Sequence, residues 1–279
     1  MSLARDTYSG PQMGRVMSLA MMVFMAVPIL APSLGQLILL VLPWRWTFGA
    51  LVLASSAVLA WTLLRLQESL PLERRRAISA DAILEGYRIT VTTRSAVGYM
   101  AALGLVMGAH MGFITSAQQI FVDVFDAGRS FTLLFALIAL AMSVAAFTNS
   151  RLVHRVGMRR LSLVGLSVLV GLNVVHLGLA LAGLVSLPVF LLLQAGSMFV
   201  FGFLASNLNT LAMEPLGHVA GTASSIIGFV STACGALIGF GVGQLFDGSV
   251  MPLAAAYVVL GLLALTVVNF TGRPVATPA

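Results

Sequence analysis

Lysine is missing from this chain: its 279 residues carry fifteen basic side chains, and every one is arginine. That absence excludes a phosphate-binding loop, which needs a lysine to reach the β- and γ-phosphates. It also excludes Schiff-base chemistry on a lysine amine. Cysteine occurs once, as Cys234, so there is no partner for an intramolecular disulfide and no thiol set for a cysteine-based zinc site. In its apolar, glycine-rich surroundings Cys234 reads as a small packing residue. Charge is scarce as well. Only 9% of the residues are charged, against about 25% in a domain whose surface must stay in water. Neither Gly-x-Ser-x-Gly nor His-Glu-x-x-His occurs, and no paired carboxylates fall within an apolar run, so an enzyme is not expected, and neither is a metal or cofactor site.

What the chain does have is apolar length. Hydrophobic residues make up 59% of it, and they gather in runs of about 18 residues or more, each able to cross a hydrocarbon core of roughly 30 Å. Helices satisfy their own backbone hydrogen bonds within one segment, whereas a membrane barrel shows alternating segments of about ten residues. The expected fold is therefore all-α, a polytopic membrane helix bundle. Eight spans are read, at 16–40, 47–64, 96–122, 131–150, 161–183, 187–212, 220–245 and 252–270. The net charge of +6 does not point to nucleic acid, since the arginines sit between apolar runs rather than on one face interleaved with aromatics.

A mostly polar stretch from Arg65 to Arg94 divides the spans into two and six, and holds six of the fifteen arginines. Sorting all the arginines by alternate ends puts thirteen on one side and leaves Arg45 and Arg129 on the other. Basic residues concentrate in cytoplasmic loops, so both termini and the 65–94 stretch are expected in the cytoplasm, with the chain in the inner (plasma) membrane. Arg74, Arg75 and Arg76 read either as a solvated, orientation-setting loop or as part of a helix lying on anionic headgroups.

The first span contains Pro28, Ala31, Pro32 and Gly35. Prolines remove backbone donors and bend a helix. This pattern resembles the antiporter motif of the fifth helix in major facilitator superfamily drug exporters, which ends Gly-Pro-x-x-Gly-Gly. Ala31 and Gln36 depart from that ending; alanine in the first place is common in the bicyclomycin-resistance (Bcr/CflA) type. Residues Arg5 to Gly10 are similar to that family's entry to the fifth helix. Arg151, Arg155, Gly157, Arg159 and Arg160 resemble the C-terminal copy of its arginine/glycine loop motif, with His154 where the motif has aspartate. The stretch from Asn207 to Ser225 resembles its junction between helices ten and eleven.

The resemblance implies a partial major-facilitator fold in which the eight spans are equivalent to helices 5–12. Residues 1–64 would be the last two helices of the N-terminal half, 65–94 the cytoplasmic central loop, and 95–279 a complete six-helix C-terminal half. Four helices would be expected to precede Met1, and the chain would be a fragment of an exporter. The resemblance further implies proton-driven efflux (antiport) of small amphipathic, drug-like compounds by alternating access, with the lipid bilayer and protons as partners and no nucleic acid. The alternative is a non-transport membrane protein, an assembly partner or regulator that keeps the transporter fold.

Polar side chains within spans usually face a bundle interior or a cavity. His110, Gln118, Asn207 and Asn209 are the candidate cavity-lining residues; each reads either that way or as an interhelical hydrogen-bonding group. His110 is also the mid-span side chain able to carry a proton near neutral pH. Gly235, Gly239 and Gly243 share one helix face and read as a close-packing stripe, either static or sliding during transport.

Overall fold

The computed structural model describes Ala31 and residues 34–65 and 80–272. Pro28 and Pro32 of the antiporter motif, residues 16–30 of the first expected span, and Arg5, Arg15, Arg74, Arg75, Arg76 and Arg273 lie outside the described residues; Ala31 and Gly35 are helical. The chain forms two compact units, Met1–Ile78 and Ser79–Ala279. In the first, residues 34–41 are helical and a turn at Pro43, whose carbonyl accepts from the Trp46 amide at 2.9 Å, leads into α1 (Arg45–Arg65). Its 21 residues span about 31 Å at 1.5 Å each, the thickness of a hydrocarbon core.

The second unit contains α2 (Ala80–Thr92), α3 (Arg94–Gln119), α4 (Phe131–Val156), α5 (Met158–Leu181), α6 (Leu187–Met213), α7 (Ala220–Gln244) and α8 (Met251–Phe270). Seven helical segments among the described residues are long and apolar enough to cross a membrane. They correspond to the second to eighth spans read from sequence. The chain is thus an all-α membrane bundle. Leu133, Leu192, Leu237, Phe240 and Phe270 point outward and are exposed, as lipid-facing positions are.

The short connections have local causes. Gly157 ends α4 and begins α5 in one residue, at φ 84° and ψ 145°, where a side chain is strained and glycine is not. Before α8, the Asp247 carboxylate accepts from the Ser249 amide (3.0 Å) and hydroxyl (2.7 Å), an Asx-type turn. The stretch read as a central loop carries a helix, α2, in its second part. Its buried positions include Gly86 and Thr90, and Gly86 lies against Thr222 of α7.

The extensively packed pairs are α3 with α7, α6 with α4, α3 with α8, α6 with α5, α5 with α8, and α3 with α6. Exchanging α3-α4-α5 for α6-α7-α8 maps this set onto itself. The unit is therefore built from two three-helix repeats of equivalent packing, with α3 and α6 as the paired central helices. Phe121 opposite Phe190 (5.6 Å between centroids) and His110 opposite Phe201 (4.0 Å) set these two antiparallel.

The most extensive of these contacts is between α3 and α7, and it is close and reciprocal. A Cβ placed on Gly104, Gly108 or Gly112 of α3 would meet Cys234, Ile238 or Val242 of α7 at 3.1, 2.6 and 2.8 Å. In return, one placed on Gly235 or Gly243 would meet Met107 at 3.2 Å or Thr115 at 2.9 Å, and one on Gly239 would collide with Met111. Lipid tails are as apolar as leucine, so association in the bilayer relies on such packing rather than on water exclusion. Thr115 adds a hydrogen bond from its hydroxyl to the Gly239 carbonyl, at 3.0 Å, which a side chain on Gly239 would block.

Overpacking this contact is expected to cost about 1–3 kcal/mol. Unfolding in mixed micelles should show Gly239→Leu destabilised by that order, and Gly171→Leu, at an exposed position with nothing within 4 Å of its Cβ site, nearly unchanged. Equal behaviour of the two variants would contradict the packing described.

Candidate functional site

The four candidate cavity residues all lie on the central helices α3 and α6. His110, halfway along α3, lies flat on Phe201 of α6, with ring centroids 4.0 Å apart and planes at 17°. Its Nδ1 is buried with no hydrogen-bond partner. Farther along α6, Asn207 is buried and pairs with Asn149 of α4 through two reciprocal bonds: Asn149 Nδ2 donates to Asn207 Oδ1 at 3.2 Å, and Asn207 Nδ2 donates to Asn149 Oδ1 at 2.9 Å. Gln118 and Asn209 are exposed. With α3 and α6 antiparallel, these two stand toward opposite ends of the bundle, about 20 Å or more apart at 1.5 Å per residue. The four candidate cavity residues thus occupy three different settings and do not converge on one point.

A second polar layer was only partly visible in the sequence. Asn173 of α5 donates to Ser197 of α6 (3.0 Å) and to the Leu169 carbonyl (2.9 Å). Gln194 of α6 donates to the Tyr257 hydroxyl of α8 at 3.2 Å. His176 of α5, also buried, meets Phe190 edge-on. Such groups are expensive in a bilayer unless they find partners. The Asn173–Ser197 and Gln194–Tyr257 bonds tie α5, α6 and α8 together, whereas the His176 ring nitrogens have no hydrogen-bond partner among the described residues. Asn149 and Ser197 had no signal of their own, because each matters only through a partner on another helix.

At the arginine-rich end, the loop motif is a structural junction. Gly157 supplies the turn, and Arg159 reaches across to the end of α8, donating to the carbonyls of Val268 (3.3 Å) and Thr271 (3.5 Å). A cation there meets the negative end of a helix dipole. Arg151 sits over the Phe147 ring at 4.3 Å, while Arg155 and Arg160 are exposed. Gly98 of α3 packs directly against Thr271, and the Tyr99 hydroxyl donates to the Gly272 carbonyl at 3.4 Å. The start of α3, the α4–α5 turn and the end of α8 are thereby joined. Among the described residues, no three His, Cys, Asp or Glu side chains gather as a metal site would require.

A multi-pass bundle of paired three-helix repeats, with polar groups on its two central helices, is the architecture of secondary transporters. The sequence profile of the Major Facilitator Superfamily matches residues 1–240, and the chain belongs to that superfamily. Among curated proteins it is 26% identical over 248 residues to an uncharacterized MFS-type transporter, YdgK, of Bacillus subtilis, covering 85% of this chain and 60% of the relative. It is 28% identical over 272 residues to a bicyclomycin resistance protein homolog of Haemophilus influenzae, covering 94% and 67%. Against the multidrug resistance protein MdtL of Escherichia fergusonii it is 26% identical over 285 residues, covering 99% and 69%. The chain thus spans 60 to 69% of the length of these relatives.

The asparagine pair offers a direct test of the α4–α6 contact. Asn149→Leu or Asn207→Leu alone strands a buried amide and should cost about 1 kcal/mol or somewhat more. The double variant should recover part of that loss. Strictly additive single effects in an unfolding series would show that the two side chains do not interact.

Proposed function

We propose that this chain provides the C-terminal half, and part of the N-terminal half, of a proton-driven exporter of small amphipathic compounds in the inner membrane, with its arginine-rich ends in the cytoplasm. The observation that carries this reading is the repeat-symmetric six-helix unit whose central helices, α3 and α6, present His110, Gln118 and Asn209 without burying them fully. In transporters of this architecture the substrate binds near the bilayer midplane between such halves. The names of two relatives, bicyclomycin resistance protein homolog and multidrug resistance protein, support drug-like substrates.

The reciprocal glycine contact bears on mechanism. A sliding face would be smooth, whereas α3 and α7 interlock from both sides, each helix's glycines receiving the other's side chains. In this reading the six-helix unit rocks as one body, and the movement takes place outside the α3–α7 contact. His110 is the titratable group at mid-depth on α3. The described carboxylates of this unit lie on α2 (Asp81, Glu85) or at helix ends (Asp123, Asp126, Glu214 and Asp247).

The test is accumulation of a cationic fluorescent dye in cells expressing the whole coding region from which this sequence comes. Lower accumulation than in control cells, restored to the control level by a protonophore, is the expected result. A membrane-inserted product that leaves dye levels unchanged with and without the gradient would contradict it and favour the non-transport alternative.

A further inference from the structure

The lipid-facing surface of the six-helix unit is not uniform. Between α5 and α8 runs an open groove of about 460 Å³, lined by Leu163, Val164, Ser167 and Val168 on one side and by Leu265 and Asn269 on the other. None of its lining residues belongs to α3 or α6. Two features distinguish it from an ordinary furrow filled by lipid tails. Asn269 is an exposed carboxamide on a lipid-facing surface, where a polar group without a partner is costly. And the groove opens at the arginine-rich end, beneath a free cation.

That cation is Arg160. Residues 160, 164, 167 and 168 fall at offsets of four, seven and eight, so they share one face of α5, and Arg160 stands one turn beyond Val164 at the mouth of the groove. It is exposed and makes no hydrogen bond with a described residue. Its neighbour Arg159 is occupied with the α8 carbonyls and leaves Arg160 as the group facing the headgroup region. Neither α5 nor α8 contains a carboxylate, so nothing on the two walls opposes an anion. Basic pockets between membrane helices at this level suit acidic headgroups.

We propose that the α5–α8 groove binds an anionic phospholipid, with an acyl chain along Val164, Val168 and Leu265 and the phosphate paired with Arg160. Asn269 lies at the depth of the glycerol esters and supplies hydrogen-bond donors to them. A zwitterionic phospholipid fits the same groove but brings its own cation to the mouth, and so gains less from the guanidinium. The site is independent of whether the chain transports anything, and its occupancy would steady the α5–α8 contact on which the repeat symmetry rests.

The experiment reconstitutes the full chain in nanodiscs with equal phosphatidylglycerol and phosphatidylcholine, then reads retained lipid by native mass spectrometry. The wild type is expected to keep phosphatidylglycerol in preference. Arg160→Gln should lower that preference about fivefold, the equivalent of one lost headgroup contact. Arg160→Lys should retain most of it, and Val164→Trp, which fills the groove, should remove the bound lipid of either kind. Arg129→Gln, at the other end of the bundle, should match the wild type. No preference in the wild type, an unchanged ratio in Arg160→Gln, or a full complement of lipid in Val164→Trp would each overturn the proposal.

Discussion

The fold of the six-helix unit depends on one contact, the interlocked glycine faces of α3 and α7. In water, two helices associate because their apolar faces leave solvent; in lipid that gain vanishes, and only close packing and hydrogen bonds remain. Six glycines, three on each helix, let the two backbones approach within reach of each other's Cβ atoms. With α7 held on one face, α3 packs its remaining surface on α6 and α8. Tyr99, which bonds to the Gly272 carbonyl past the end of α8, and Phe121, which follows α3 and meets Phe190 of α6, are buried. The equivalent pair in the other repeat, α6 with α4, uses the same device once, where Gly202 lies 2.8 Å from Ala145 by its Cβ site, and adds the Asn149–Asn207 bonds. Equivalent positions in the two repeats thus reach similar packing by different chemistry.

This division has a functional reading. The polar groups within the spans fall into two classes: buried ones that join neighbouring helices, such as Asn173 with Ser197 and Gln194 with Tyr257, and ones on α3 and α6 that are half-buried or exposed, such as His110 and Asn209. The first class makes the unit stiff. In the reading proposed above, the second is what a substrate would meet. A stiff half with a partly open polar face is what a rocking transporter needs, and it is also why the arginine-rich junction of Gly157, Arg159 and the α8 terminus contributes to packing rather than to a substrate site.

Much of this was legible in the sequence because the bilayer imposes length. Seven of the expected spans correspond to helices, since a crossing segment needs about 20 apolar residues whatever its neighbours. Six of them agree within about three residues at either end, while α4 runs six residues past the expected 150, to Val156. The stripe Gly235, Gly239 and Gly243 was also legible, as four-residue spacing puts glycines on one face. Its counterpart at Gly104, Gly108 and Gly112 was hidden among 27 glycines and gained meaning only when α7 was seen opposite. Helix α2 was hidden for another reason. It has an apolar stripe, Leu84, Tyr87 and Val91 with Ile83 beside it, but at 13 residues it is too short to read as a span, and Asp81, Glu85 and Arg88 made it look like a loop. Its buried positions instead include Gly86 and Thr90. Asn207 reads from sequence either as cavity lining or, preferably, as a helix-joining group, but without saying which helix it joins; its partner lies 58 residues away, and sequence spacing carries no information across that distance.

The central claim is that α3 and α7 are locked together at their glycines. The chain's single cysteine makes this measurable, because the Cβ site of Gly104 is 3.1 Å from the Cβ of Cys234, close to the separation of about 3.5–4.5 Å that a disulfide needs. Gly104→Cys in the full chain, with a protease site inserted in the turn after Leu181, should remain one covalently joined species after mild oxidation in the membrane and cleavage, and separate into two fragments on reduction. Two fragments under oxidising conditions, in a variant that inserts normally, would show that α3 and α7 do not meet at this register and would contradict the account.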